Sequence, residues 1–400
     1  NYAAVYNSTF TDNTAKNAGA LYGVNAINSI FKNNTATVGV SGAGSSVHAY
    51  NSVFENNSAV TTGGAIYSTN IVANSVFKDN HAGINGGALT IYETYSTISS
   101  SIFSHNYTTD TENDGTSDYG GGAIYFKGIN SDNTVYTLNI NRSEFENNAV
   151  ARGSGSAIRQ EQGIMNINAS TFTNNTGGDG AVYINNGSTA NINNSTFTCN
   201  SRAICNQHVT NTTINNSIFT GNYSNFGGAI HNDMDGATMT INSSRFYDNY
   251  ALSYNINAAG GALYSHSSND SNTSYMYVNN SIFSANMGQN GGAAYGAIYF
   301  NGSIFDSNGI IEDAYGKNTD RGGAVRGSNI KNSILKNNTA GYGGALVYGS
   351  AQNSLFLNNA AIQRETNADG VTTGNGGAIY YIATNSITSN GLAFIGNHAD

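Results

Sequence analysis

Proline and tryptophan are missing altogether from the 400 residues, cysteine occurs twice, and charged residues make up only 10% of the chain. Proline donates no backbone hydrogen bond and is confined to sheet edges and bulges, so its complete absence predicts a backbone held along its length in sheet ladders. The charges, 15 basic against 24 acidic for a net −9, form no basic run. The electrostatic footprint that a phosphate backbone requires is therefore lacking, which excludes nucleic acid as a partner. No stretch approaches the ~18 consecutive apolar residues of a membrane helix, so no membrane span is expected within this segment. The opening Asn1-Tyr2-Ala3-Ala4-Val5 has neither an initiator methionine nor a signal-peptide apolar region, and the chain reads as a segment of a longer one. Cys199 and Cys205 lie close enough in sequence for one small disulfide closing a corner, the alternative being free thiols.

What is abundant is glycine, 48 residues, together with 26 tyrosines and 17 phenylalanines set in an asparagine-rich background. They are arranged as a repeat. Phe-x-x-Asn recurs from Phe10/Asn13 through Phe31/Asn34, Phe54/Asn57 and Phe77/Asn80 to Phe394/Asn397, with Leu335/Asn338 as an aliphatic variant. Between its copies stands a second block, Gly-Gly-Ala-aliphatic-Tyr or a near relative, as at Gly63–Tyr67, Gly121–Tyr125, Gly227–His231, Gly260–Tyr264, Gly322–Arg326, Gly343–Val347 and Gly376–Tyr380. The shortest Phe-to-Phe spacings, 21 to 23 residues, fit one coil of a β-solenoid made of two or three short strands and their turns. The chain is thus expected to be all-β, a single right-handed parallel β-helix over 1–400 with about fifteen coils, or a rod of about 70 Å at the usual strand spacing.

Comparing copies predicts which way each position faces. In Asn-Ser-x-Phe, x is Ile, Val or Thr but also Glu144 and Arg245, so x points out while Ser and Phe point in. The fourth position of the glycine block is nearly always Ile, Leu or Val and makes a second core column. Its fifth position is usually Tyr but also Arg159, His231 or Arg326, so that column is expected to face solvent, and the preceding Ala with it. The Asn of Phe-x-x-Asn is expected at a corner, its amide bonding to the next coil and its backbone accepting a left-handed turn, while Gly-Gly supplies the positive φ of another.

These two blocks resemble those of the chlamydial-type polymorphic outer-membrane proteins, and the Asn/Thr-rich phrasing, as in Asn194-Ser195-Thr196-Phe197, is also similar to adhesin-like surface proteins of methanogenic archaea. The resemblance spans essentially the whole chain. It implies a right-handed parallel β-helix at the cell surface or secreted outside the cell, adhesive or structural in role, and brings with it no catalytic residues.

Because some parallel β-helices cleave acidic polysaccharides, we sought their residues. Asn318-Thr319-Asp320 matches one polygalacturonase-like fragment, but no Asp-Asp pair, Gly-His-Gly or Arg-Ile-Lys accompanies it, and an enzyme is not expected. The histidines (His48, His81, His105, His208, His231, His266, His398) show no ligand spacing. Asp110, Glu112, Asp114 and Asp118 around Gly115 resemble a calcium loop but lack the twelfth-position Glu, Gly121 standing there; the other reading is a solvated acidic insertion. No other cofactor is expected. The tyrosines of the fifth column, Tyr22, Tyr67, Tyr125, Tyr183, Tyr264, Tyr299 and Tyr380, form either an aromatic strip that receives sugar rings or a partner's apolar face, or a stacked ladder that braces neighbouring coils. Insertions at 107–119, 127–135, 250–259, 265–274, 309–321 and 360–375 supply candidate recognition loops. Sequons such as Asn7, Asn33, Asn56, Asn106, Asn174, Asn194 and Asn337 suit a glycoprotein. The function expected is therefore an extracellular adhesin-like stalk meeting glycans or a cell-surface protein. The rivals are a protomer self-associating end to end into a surface filament or sheath, and a polysaccharide-cleaving β-helix enzyme.

Overall fold

The computed structural model describes residues 3–109, 119–208, 210–233, 236–253, 258–266, 275–311, 321–362, 374–381 and 389–400. They fall into two compact units, Asn1–Cys205 and Asn206–Asp400, and each is a right-handed parallel β-helix. Each coil contributes a strand to three sheets, and a two-residue strand after the Asn corner adds a fourth row in many coils.

In the first unit the Phe-bearing strands pair in register, Phe10 with Phe31, Phe54, Phe77, Phe103, Phe145, Phe172 and Phe197 in turn. Their rings stack at 4.7–4.9 Å, the spacing of the strands themselves. In the second unit Phe219, Phe246, Phe283, Phe305, Leu335, Phe356 and Phe394 align likewise. Register survives insertion. Phe103 and Phe145 are 42 residues apart in sequence and still stack at 4.9 Å. The residues beside Phe alternate outward and are half-exposed or exposed, Glu144 and Arg245 among the exposed ones. Ile66, Leu89, Ile124, Ile158 and Val182 line the second core wall, and Val72, Ile98, Ile140, Ile167 and Ile192 the third, all at 0% exposure.

Two polar ladders close the corners beside the Phe sheet. Each Ser of Asn-Ser-x-Phe accepts the backbone N–H of the Ser one coil earlier and donates to the carbonyl two residues before it, as Ser52 does toward Ser29 N (3.1 Å) and Tyr50 O (2.9 Å). Each Asn of Phe-x-x-Asn is more fully used. Asn175 Oδ1 accepts both the backbone N–H and the side-chain amide of Asn148 (3.1 and 3.0 Å), while its own Nδ2 donates to Phe145 O and to Asn200 Oδ1 (3.0 Å each). These asparagines are buried. The left-handed conformation expected of them belongs instead to the residue before: Asn33, Asn56, Asp79, Asn174 and Asn337 have φ of 52–56°. A short polar residue tolerates that region, and the ladder Asn is left free to point inward.

The glycine block corrects another expectation. Its Ala does not face outward: Ala65, Ala88, Ala123, Ala157 and Ala181 are all fully buried. The reason is a local bulge. Ala65 N and Ile66 N both donate to Ala88 O, at 2.9 and 3.0 Å, so two successive residues fall on the inner side. Of the two glycines before them, Gly63 has φ of 65°, and a Cβ on Gly64 would lie 2.0 Å from Gly87 O, so the next coil's backbone occupies the space any larger residue needs.

Asn175→Ala leaves the buried Asn148 backbone N–H without its acceptor, at about 1–3 kcal/mol for an orphaned group, and takes one bond each from the Asn148 side-chain amide, which keeps Phe103 O, and from the Phe145 carbonyl. It is expected to lower the urea midpoint far more than Asn174→Gly, which keeps the positive φ at little cost. Equal midpoints for the two variants in urea unfolding followed by circular dichroism would contradict the ladder's role.

Candidate functional site

The fifth position of the glycine block forms one column in each unit. In the first, Tyr22, Ser45, Tyr67, Thr90, Tyr125, Arg159 and Tyr183 lie side by side in register. The expected solvent-facing strip is found only in part. Tyr22 is 76% exposed, whereas Tyr125 and Tyr183 retain 9% and 6%, and Arg159 only 1%. These side chains leave the core face of their strand but are covered by one another and by the segment that leads into the glycines. Arg159 illustrates this. Its Nη1 donates to Tyr119 O (2.8 Å), Nε donates to Glu161 Oε1 (2.9 Å), Nη2 also bonds that oxygen, and the guanidinium lies 5.1 Å from the Tyr183 ring centre. Glu161 in turn accepts from Asn185 (3.2 Å) and Asn186 (2.5 Å).

In the second unit the column runs His231, Tyr264, Tyr295, Arg326, Val347, Tyr380. Tyr264 and Tyr295 stack at 5.4 Å, His231 meets Tyr264 edge-on at 4.9 Å, and Arg326 lies 5.3 Å from Tyr295 and 5.6 Å from Tyr348. Phe226 and Tyr342, which precede their glycine pairs, close on Tyr264 and Tyr380 at 5.0 Å. The aromatic rings and the Arg326 guanidinium thus pack together as an outer brace.

Tyr299 is not a member of this column. Its strand, Ile298–Asn301, lies in another sheet, and Tyr295 of Gly291-Gly292-Ala293-Ala294-Tyr295 holds the fifth position of that coil. Tyr299 stands 40% exposed beside Tyr277, also 40%, on an open face that the sequence reading did not single out. The signal was present in Tyr275-Met276-Tyr277-Val278, whose strict alternation puts Met276 and Val278 inside and both tyrosines out.

No disulfide joins Cys199 and Cys205, which corrects that expectation. Cys199 takes the exposed left-handed place before the ladder residue Asn200, with φ of 54°, whereas Cys205 is a buried fifth-position residue on the strand beyond the corner. The calcium-loop residues Asp110, Glu112, Asp114 and Asp118, and the Asn318-Thr319-Asp320 fragment, lie outside the described residues. So do parts of the insertions at 107–119, 250–259, 265–274, 309–321 and 360–375. The 127–135 insertion forms a small antiparallel bridge, Ile129 to Val135, held to the preceding coil by Tyr95 Oη donating to Val135 O (3.1 Å). Among the described residues no three His, Cys, Asp or Glu side chains converge on a metal-sized site. Of the named sequons, Asn106 is a buried ladder residue and cannot carry a glycan; Asn7, Asn33, Asn56, Asn174, Asn194 and Asn337 all occupy outer left-handed corners with φ of 50–56°.

The repeat model of the Chlamydia polymorphic membrane proteins matches residues 51–69 and 353–381, one stretch in each unit, and both run from Asn-Ser-x-Phe or its vicinity to Gly-Gly-Ala-Ile-Tyr. The chain carries copies of a polymorphic-membrane-protein-type repeat at these two places. No curated protein matches it. Among solved structures it is similar to a TibC-catalyzed hyper-glycosylated TibA fragment, at 12% identity and a TM-score of 0.28, over 97% of this chain and all of that one.

Burial holds several phenols of the column neutral. Tyr183 and Tyr67 are pushed above the ordinary range, and Tyr264 is pushed up to about 12, by burial first and then by Tyr295 and Asp233 nearby. A phenol raised in the folded state stabilises the fold fully below its unfolded value near 10, and that contribution is lost as pH rises toward 12. Alkaline titration should therefore show a class of tyrosines that ionises only as stability falls, with part of the loss removed by Tyr264→Phe. Full phenol ionisation with an undiminished denaturation midpoint would contradict this.

Proposed function

We propose that this chain is a non-catalytic, adhesin-like β-helix that attaches to glycans on another cell surface through its outward tyrosines. The observation that carries the reading is the rigid aromatic column and its accessible members. Tyr22 is exposed and Tyr67, Tyr264 and Tyr380 half-buried in the column, while Tyr299 stands on a separate face, each fixed on a strand rather than a loop. Aromatic rings held rigidly offer flat apolar area to a sugar's C–H face at low entropic cost. The polymorphic-membrane-protein-type repeats support a surface role. The non-catalytic reading rests on what the carboxylates do: Glu161 pairs with Arg159, Glu55 with Lys32, Asp179 with Arg202 and Asp306 with Lys336. Groups committed to ion pairs within the scaffold are poorly placed to share a proton with a glycosidic oxygen.

Beads coated with the chain are expected to adhere to cultured epithelial cells severalfold above uncoated beads, and enzymatic removal of the cells' glycans should abolish most of the difference. Polygalacturonate incubated with the chain and calcium should release no new chain ends. Adhesion that ignores both coat and glycans, or measurable cleavage, would overturn the reading; adhesion lost only on protease treatment of the cells would move the partner to a protein.

A further inference from the structure

The second unit has a feature that the tyrosine column does not explain. On the outer face of the sheet holding Tyr299, one register column runs Tyr277, Tyr299, Asn329, Ser350, one residue per coil. The column beside it, two residues on, runs Asn279, Asn301, Lys331, Gln352. Tyr277 and Tyr299 stack at 5.3 Å with ring planes 21° apart, so one face of Tyr299 is covered. On its other side the side chains shorten abruptly to Asn and Ser. That step leaves an open groove of about 290 Å³ lined by these residues, near the lower bound of ligand sites at about 300 Å³.

The polar groups around the step are available. Ser350 Oγ donates to Asn329 Oδ1 (2.5 Å), which turns the Asn329 Nδ2 protons away from that contact, and neither those protons nor the Gln352 side chain has a partner among the described residues. Lys331 is exposed, makes no ion pair among the described residues, and is the one charged residue in the lining. In a chain of net charge −9, a groove that holds an ammonium group and no carboxylate is selective by sign. An aromatic wall, two amides, a hydroxyl and an unpaired cation suit a pyranose whose C–H face packs on the ring and whose carboxylate meets the ammonium.

We propose that this groove binds a carboxylate-bearing sugar unit, a sialic or uronic acid residue of a glycan, with Tyr299 as the stacking wall and Lys331 as the group that selects acidic over neutral sugars. The inference deepens the glycan-attachment reading by naming the sugar class and place.

Isothermal titration of the whole chain with 3′-sialyllactose and trigalacturonate, against lactose and maltotriose, tests it. At least one acidic sugar should bind about tenfold more tightly than its neutral counterpart. Lys331→Gln should erase that preference while leaving neutral-sugar binding unchanged. Tyr299→Ala should remove binding of both kinds, Tyr299→Phe should retain it, and Lys16→Gln, an exposed charge in the other unit, should bind like the wild type. Equal affinity for acidic and neutral sugars, a preference that survives Lys331→Gln, or unaltered binding by Tyr299→Ala overturns the proposal. Glycan-dependent bead adhesion by a wild-type chain that binds acidic and neutral sugars alike retires the groove and leaves the adhesion reading intact; acidic-sugar binding by a chain whose beads do not adhere does the reverse.

Discussion

Within each unit the structure depends on one constraint, that every coil lies directly over the one before at the spacing of hydrogen-bonded strands. Once that holds, identical residues meet identical residues. Phenyl rings stack at the same separation as the backbones, serine hydroxyls accept the preceding coil's N–H, and each buried asparagine passes its amide to the next. The missing proline follows from the same constraint, since a residue without an N–H breaks a rung in any of the sheets. A buried amide ladder is costly if any member is left unpaired, so register is enforced by penalty as well as by attraction. The hydrophobic rows supply most of the driving force, and the polar corners decide which residue sits on which.

This division of labour explains where the sequence varies. Corners outside the ladders accept insertions of very different length, because a loop that leaves and returns at one corner does not disturb the rungs on either side. The outer faces vary as well, and the site candidates arise there. The Arg159–Glu161 pair with its amide partners, and the arginines between tyrosines in the second unit, are places where outward side chains have become a second packed layer. A rigid surface of this kind presents groups at fixed 4.7–5 Å intervals, which suits recognition of a partner that is itself an extended repeating chain.

Much of the fold was legible in the sequence because repetition lets each position be compared with its own copies. The inward Phe, the inward Ser and the aliphatic fourth position could all be read that way. The burial of Ala65 and its equivalents could not, because it comes from two N–H groups sharing one carbonyl, a departure from alternation that no residue type announces. The tyrosine column was located correctly but its exposure was not: Tyr125 and Tyr183 are covered through tertiary contacts with residues such as Tyr119 and Arg159 that alternation does not encode. Tyr299 was assigned to that column by proximity to a glycine pair, although Tyr295 satisfies the spacing, and the groove beside it depends on a drop in side-chain size between coils that appears only when the strands are aligned.

Direct stacking of equivalent positions is the claim from which the rest follows, and cysteine cross-linking across neighbouring coils tests it most directly. With Cys199 and Cys205 replaced by serine, the pair Thr171→Cys and Thr196→Cys, whose parent residues face each other in register, should oxidise readily to an intramolecular disulfide. The pair Thr171→Cys and Thr198→Cys, displaced by two residues, should remain reduced under the same conditions. The opposite pattern, or equal cross-linking of the two pairs, would contradict the account.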